Sequence, residues 1–195
     1  MDNNDRLINH SHDYFKRLQK ALDDFDHSGL HRLINKIQPL RGTDKTIFVA
    51  GNGGSAATCT HMVTDIAKTI LGKNVKEKEN RFRIMSLNDN TSIITAWAND
   101  EGYEHIFSQQ LKNLGRAGDI LIVFTGSGQS PNIVELVKMA KKMNIFTFGI
   151  SGFSGGSLKD LCDDYLLAVS NDYGIIEDFH MVVVHLITDW LKKMA

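Results

Sequence analysis

Cysteine and proline are scarce, with two of each in 195 residues. Cys59 and Cys162 form no CxxC pair, which excludes a disulfide framework and a cysteine-rich zinc module and predicts two reduced thiols. An excess of one charge is also lacking. Twenty-two Lys and Arg against 23 Asp and Glu leave a formal net charge of -1, so no basic field marks a nucleic acid or an anionic membrane as partner. Long hydrophobic runs are missing too, since stretches such as 181–184 fall far short of the roughly 18 to 20 apolar residues that cross a bilayer. The first twenty residues are polar and charged, without the continuous apolar core of a secretory signal. These absences predict a cytoplasmic protein with no nucleic-acid and no membrane partner.

What is present suits one buried core. A hydrophobic fraction of 42% in a chain of this length predicts a single domain over 1–195. Leu7, Tyr14, Phe15, Leu18, Leu22 and Phe25 share one stripe of a 3.6-residue period, and Leu30, Leu33, Ile34 and Ile37 form a second stripe after Ser28-Gly29. Two N-terminal helices within 1–40 are therefore expected. From Thr46 onward the pattern changes to short β-prone runs at 46–50, 84–87, 120–124, 145–150 and 165–169, each followed by a polar turn. Helical patterns at 55–71, 91–98, 130–143 and 174–193 fall between and after them, as in βα units on a parallel sheet. Ser130-Pro131 reads as a hydroxyl N-cap followed by proline at the first helical position. The charge-dense stretch 73–83 reads as a solvated loop, with rimming of an anionic substrate's site as the alternative.

Two loops invite a ligand. Gly51-Asn52-Gly53-Gly54-Ser55 lies between a strand and a helix, where glycines let backbone N–H groups approach an anion. It lacks the Gly-Lys-Ser/Thr ending of a Walker loop and is not a full GxGxxG fingerprint, so an empty tight turn is the plain alternative. Thr125-Gly126-Ser127-Gly128-Gln129-Ser130 offers three hydroxyls and two glycines at the carboxyl end of another strand, a neutral cradle for phosphate. Both loops at one sheet edge would let them address one small phosphorylated ligand.

Ionisable side chains supply a third feature. His61 and Asp65, four apart, project from one face of the helix after the glycine loop. Glu177, His180 and His185 interrupt an apolar run on the last helix. Taken alone, His180 reads as a core or interface histidine with its polar needs met. His61, Asp65, Glu177 and His185 suit a divalent ion such as zinc, and equally a proton-shuttling pair without metal. Eight residues of ideal helix hold Glu177 and His185 about 12 Å apart. That spacing predicts that Glu177 precedes the helix or that the two residues come from different subunits.

The glycine loop through Ala57, together with Thr91-Ser92, Ala98-Asn99-Asp100, the 125–130 loop with Pro131-Asn132 and the terminal histidine, resembles the sugar isomerase (SIS) domain family. Within it the chain is most similar to the sedoheptulose-7-phosphate isomerase (phosphoheptose isomerase) group. The resemblance implies an α/β three-layer sandwich of flavodoxin-like type, with a five-stranded parallel sheet flanked by helices and two extra N-terminal helices. It also implies a homotetramer with active sites at subunit interfaces, the N-terminal helices packing on the α/β core and joining the interface. The implied reaction interconverts sedoheptulose 7-phosphate and a manno-heptose 7-phosphate through an enediol, toward surface-glycan heptose. Carried over by position, Asn52, Gly53, Ser55, Asn90, Thr91, Thr125, Ser127, Ser130 and Glu177 contact the sugar phosphate. His61, Asp65, Glu177 and His185 hold zinc, with Asp65 as base and His185 as acid.

The chain departs from the family's usual residues at several points. Asp65 stands for a glutamate, Glu177 for a glutamine, Asn90 for an aspartate and Thr69 for an arginine. These swaps admit a different ketose phosphate as substrate, and a non-catalytic SIS module that binds a sugar phosphate as the competing class. Trp97 and Trp190 read as packing residues, Glu104-His105 as an exposed turn or a neighbour's contribution, and His10, His12, His27 and His31 receive no role.

Overall fold

The computed structural model describes residues 3–72 and 80–194, so most of the charged 73–83 stretch lies outside the described residues. Five strands, β1 (Thr46–Gly51), β2 (Arg83–Ser86), β3 (Ile120–Thr125), β4 (Phe146–Ser151) and β5 (Asp164–Leu167), form one sheet in the order β2-β1-β3-β4-β5. Every pairing is parallel. The period-2 alternation of a strand explains why the sheet is covered on both sides. Ile47 and Val49 of β1, with Ile120, Ile122 and Phe124 of β3, enter one core. Phe48 and Ala50, with Leu121 and Val123, enter the other.

Helices α1 (Asn3–Asp23), α2 (His27–Ile37), α3 (Gly54–Ala67) and α8 (Tyr173–Lys193) lie on the first side. On the second lie α4 (Thr91–Asp100), α5 (Ser108–Leu114), α6 (Pro131–Lys142) and the single turn α7 (Leu158–Leu161). The three-layer α/β architecture with two extra N-terminal helices is thus as the sequence predicts. The chain leaves β1 first toward β2 and later returns to its other side with β3, so the order reverses between β1 and β3. In open parallel sheets the carboxyl ends of strands at such a reversal frame a crevice, and both polar loops flank it.

Several expectations are corrected locally. Ser28 and Gly29 do not separate the N-terminal helices but lie in the first turn of α2, whose N-cap is Asp26, with Oδ1 accepting from Gly29 N at 2.9 Å. The apolar stripe of α1 is not buried within the chain: Leu7 is 67% and Phe15 64% exposed, and Ala21 is the residue it buries. Polar ties hold this helix instead, Tyr14 Oη donating to Asp178 Oδ2 at 2.6 Å and Arg17 pairing with Asp172, both toward the start of α8. Ser130 is the N-cap of α6, yet its hydroxyl makes no bond to the helix and stays available.

His180 is not a satisfied core histidine. It is fully buried on α8, edge-on to Phe124 at 5.5 Å between ring centroids, and neither ring nitrogen has a hydrogen-bond partner among the described residues. Burial pushes its pKa down to about 4, because the charged ring would have to leave water for an apolar core. The unfolded chain, with a histidine pKa near 6.5, binds the extra proton between about pH 6.5 and 4 while the folded chain does not. The contribution to stability is therefore complete above about pH 6.5 and is lost progressively as pH falls toward 4. His180→Leu should flatten this part of the stability profile, worth about 3 kcal/mol by pH 4. Urea titrations at pH 7, 5.5 and 4.5 check it.

Candidate active site

The glycine loop sits where β1 gives way to α3. Asn88 fixes its start by pairing with one residue's backbone in both directions, Nδ2 donating to Gly51 O at 2.7 Å and Gly51 N donating to Oδ1 at 3.2 Å. Gly54 opens α3 against a carboxylate: a Cβ there would lie 2.3 Å from Glu177 Oε1, so this position takes only glycine while Glu177 keeps its place. Ser55 is buried at the same turn.

The hydroxyl loop follows β3. Thr125 Oγ1 accepts from Gly128 N and Ser127 Oγ accepts from Gln129 N, each at 3.3 Å, which curls the segment into a concave turn before α6. Thr125 is buried, while Ser127 and Ser130 are half-buried. The two loops are tied together. Asn52 Nδ2 donates to Asn132 Oδ1 at 2.9 Å, and Asn132 Nδ2 donates back to Asn52 Oδ1 at 2.8 Å. After β2, Asn90 caps α4 by accepting from Ile93 N at 3.1 Å, and Thr91 lies exposed beside it. All the sequence-predicted sugar-phosphate contacts except Glu177 thus stand at the carboxyl ends of β1, β2 and β3.

Helices α3 and α8 run side by side in the same direction, Gly54 facing Glu177, His61 facing His185 and Asp65 facing Thr188. His61 Nε2 lies 3.1 Å from His185 Nε2 and 3.4 Å from Asp65 Oδ2. Thr188 Oγ1 lies 3.3 Å from that same carboxylate oxygen and 2.8 Å from Val184 O, so the two acceptors compete for its one proton. His61, Asp65 and His185 each offer a ligand atom, all within 4.8 Å of one another. Two ligand atoms at tetrahedral zinc distances stand about 3.3 Å apart, so the observed spacings fit a divalent ion with a coordination position left open. Glu177 is not in this group. It lies within α8 and two turns before His185, so of the two alternatives the spacing left, the one in which it precedes the helix is overturned, and its carboxylate approaches Gly54.

The model of the SIS domain family matches residues 12–152. The chain belongs to the SIS domain family. The matched span takes in both loops, His61 and Asp65, whereas α8 with Glu177 and His185 lies beyond it. The phosphoheptose isomerase of Bradyrhizobium sp. (strain ORS 278) is 36% identical over 156 residues, covering 80% of this chain and 76% of that protein. The phosphoheptose isomerase of Campylobacter jejuni subsp. jejuni serotype O:6 is 38% identical over 139 residues, 71% of this chain and 72% of that one. Among solved structures, the phosphoheptose isomerase from Neisseria gonorrhoeae superposes with a TM-score of 0.86 at 26% identity, covering 98% of this chain and all of that one.

Within this SIS domain some contributors carried no signal in the sequence. Thr188 and Asn88 act through contacts to residues far along the chain, and Tyr103, on a short 3-10 turn, donates to Asn52 Oδ1 at 3.2 Å. The Tyr103-Glu104-His105 turn borders a cavity of about 650 Å³ shared with Gln129, Pro131 and Ser157, so it adjoins the hydroxyl loop.

Proposed function

We propose that this chain is an aldose-ketose isomerase of sedoheptulose 7-phosphate, giving D-glycero-D-manno-heptose 7-phosphate for surface-glycan heptose. The observation that carries the reading is the approach of His61, Asp65 and His185 two helical turns from a loop pair suited to phosphate. Relatives named phosphoheptose isomerase at 36% and 38% identity support it.

The hydroxyls of Thr125, Ser127 and Ser130 hold the phosphate as donors, and Asn52, Gly53, Ser55, Asn90 and Thr91 line the approach of the sugar. Asp65 takes the proton from C1 of the ketose. Its Oδ2 faces Thr188 and His61, so Oδ1 is the oxygen left to act as base. His185 Nε2 gives a proton to the C2 carbonyl oxygen, and the electron pair released from the C1–H bond forms the C1=C2 bond of the enediol. Return of a proton to C2 and loss of the O1 proton complete the aldose. His61, Asp65 and His185 would hold a divalent ion such as zinc, which when bound supplies Lewis-acid polarisation of the carbonyl in place of the histidine's proton. Glu177 contributes its carboxylate at the Gly54 end of the site.

A homotetramer with active sites between subunits accords with the exposed Leu7, Ile8 and Phe15 of α1 and with Leu186 and Trp190 of α8. Trp190 there lines an apolar groove of about 310 Å³ with Leu30, Ile34 and Leu186.

NMR of sedoheptulose 7-phosphate incubated with the protein should show the aldose heptose phosphate appearing. Treatment with a strong chelator should lower kcat by roughly two orders of magnitude, restored by zinc. Activity that survives chelation assigns the carbonyl proton to His185 without metal. No turnover by the zinc-replete protein rejects this substrate and favours another ketose phosphate or a binding module.

A further inference from the structure

We propose that Tyr103 determines sugar specificity by accepting a hydroxyl proton of the bound sugar phosphate, an inference that rests on the sugar-phosphate site described above. Ile133 N can only donate, and it does so to the Asn132 side chain at 3.0 Å, so the atom it meets is the carbonyl oxygen Oδ1. The other end of that amide is then the NH2 group, which must donate to Asn52 Oδ1 at 2.8 Å. Asn52 Nδ2 in turn donates to Asn132 Oδ1 at 2.9 Å, so both amides are locked in one orientation. Asn132 is 1% exposed, and Asn52 is half-buried against it.

Asn52 Oδ1 accepts a second hydrogen bond, from Tyr103 Oη at 3.2 Å. Since that oxygen has no proton to give, the phenol must spend its single proton on it. What Tyr103 then offers outward is an oxygen that can only accept. The residue is 57% exposed and tied to the glycine loop through Asn52, and the next two residues, Glu104 and His105, line a cavity with Gln129 and Pro131 at the hydroxyl loop.

An acceptor-only oxygen distinguishes the two ends of a sugar phosphate. Phosphate oxygens are acceptors and gain nothing from it, whereas a sugar hydroxyl donates to it. The phosphate therefore goes to the donors of the 125–130 loop, and a hydroxyl of the carbon chain faces Tyr103.

Tyr103→Phe removes one oxygen from an exposed ring and tests this. Thermal unfolding should match wild type. With sedoheptulose 7-phosphate, KM should rise roughly tenfold and kcat change less than about threefold, while inhibition by inorganic phosphate keeps its Ki. An unchanged KM overturns the inference. A parallel rise in the phosphate Ki also overturns it, because Tyr103 would then only shape the loops. Calorimetric titration with the same sugar phosphate separates this test from the isomerase reading. Wild type that binds without turnover defeats the isomerase reading, and a tenfold weaker Kd in Tyr103→Phe still supports the inference. Wild type that binds no sugar phosphate defeats both.

Discussion

Replacing His185 by alanine should lower kcat for sedoheptulose 7-phosphate isomerisation about a thousandfold and leave KM within a few-fold of wild type. A positioned proton donor contributes roughly 10² to 10⁴ in rate, and here the same nitrogen is also a metal-ligand candidate, so either mode fails without it. KM should hold because the loops proposed to hold the phosphate are set apart from the histidines: Gly54 and His61 are seven residues apart on α3, about 10 Å of helix. Stability should hold as well. His185 is exposed, and truncating an exposed side chain outside the core shifts stability by about 0.5 kcal/mol or less. His61→Ala should lose activity to a similar degree, and the double variant little more, because the two histidines act on one reacting centre. Steady-state kinetics on the three variants, with circular dichroism melts alongside, checks this. A His185→Ala protein with activity within tenfold of wild type would remove the α3–α8 cluster from the chemistry.

The parts of this site that were legible in the sequence are those fixed by local rules. β1 and β3 announce themselves because each is a short apolar run closed by glycines and hydroxyls, and the parallel sheet then puts both loops at one edge. His61 and Asp65 share a face because they are four apart on one helix. The meeting of His61 with His185 is different in kind: it spans 124 positions and depends on α3 and α8 lying parallel in near register, which no local period encodes. Glu177 shows the same limit from the other side. Its spacing from His185 argued against one shared ion on a straight helix, and the structure keeps it on that helix but beside Gly54. Helix α5 is not legible in the sequence because seven residues are too few to show a period, and its buried Gln110 is a polar residue satisfied by the carbonyls of Leu87 and Ile106. The α1 stripe is legible as amphipathic, and its apolar residues stay exposed within the chain. Amphipathicity says that a face wants covering, not which surface covers it.

Gly128→Ala should cost roughly 3 kcal/mol of stability, a fall in Tm of about 6 to 12 °C, and should weaken sugar-phosphate binding about a hundredfold. Gly128 has φ +69°, and a Cβ there would stand 2.0 Å from the carbonyl oxygen of Gly155. The obstacle is backbone, and it is held from several directions. Gly128 N donates to Thr125 Oγ1, and Leu158 N donates to Gly128 O. A Cβ on Gly156 would in turn lie 2.5 Å from Ser127 O. The hydroxyl loop and the turn after β4 are thus packed main chain against main chain, and a methyl group parts them and opens the proposed phosphate cradle. Gly54→Ala supplies the contrast, because the atoms it meets belong to the Glu177 side chain. Adding Glu177→Ala to Gly54→Ala should recover most of any stability lost, a positive coupling in a double-mutant cycle. No side-chain truncation should rescue Gly128→Ala. Differential scanning calorimetry with and without sedoheptulose 7-phosphate measures both effects. A Gly128→Ala protein that melts like wild type and keeps its ligand shift would show that the loop can move aside, and the phosphate site would then have to be sought on a different part of the sheet edge.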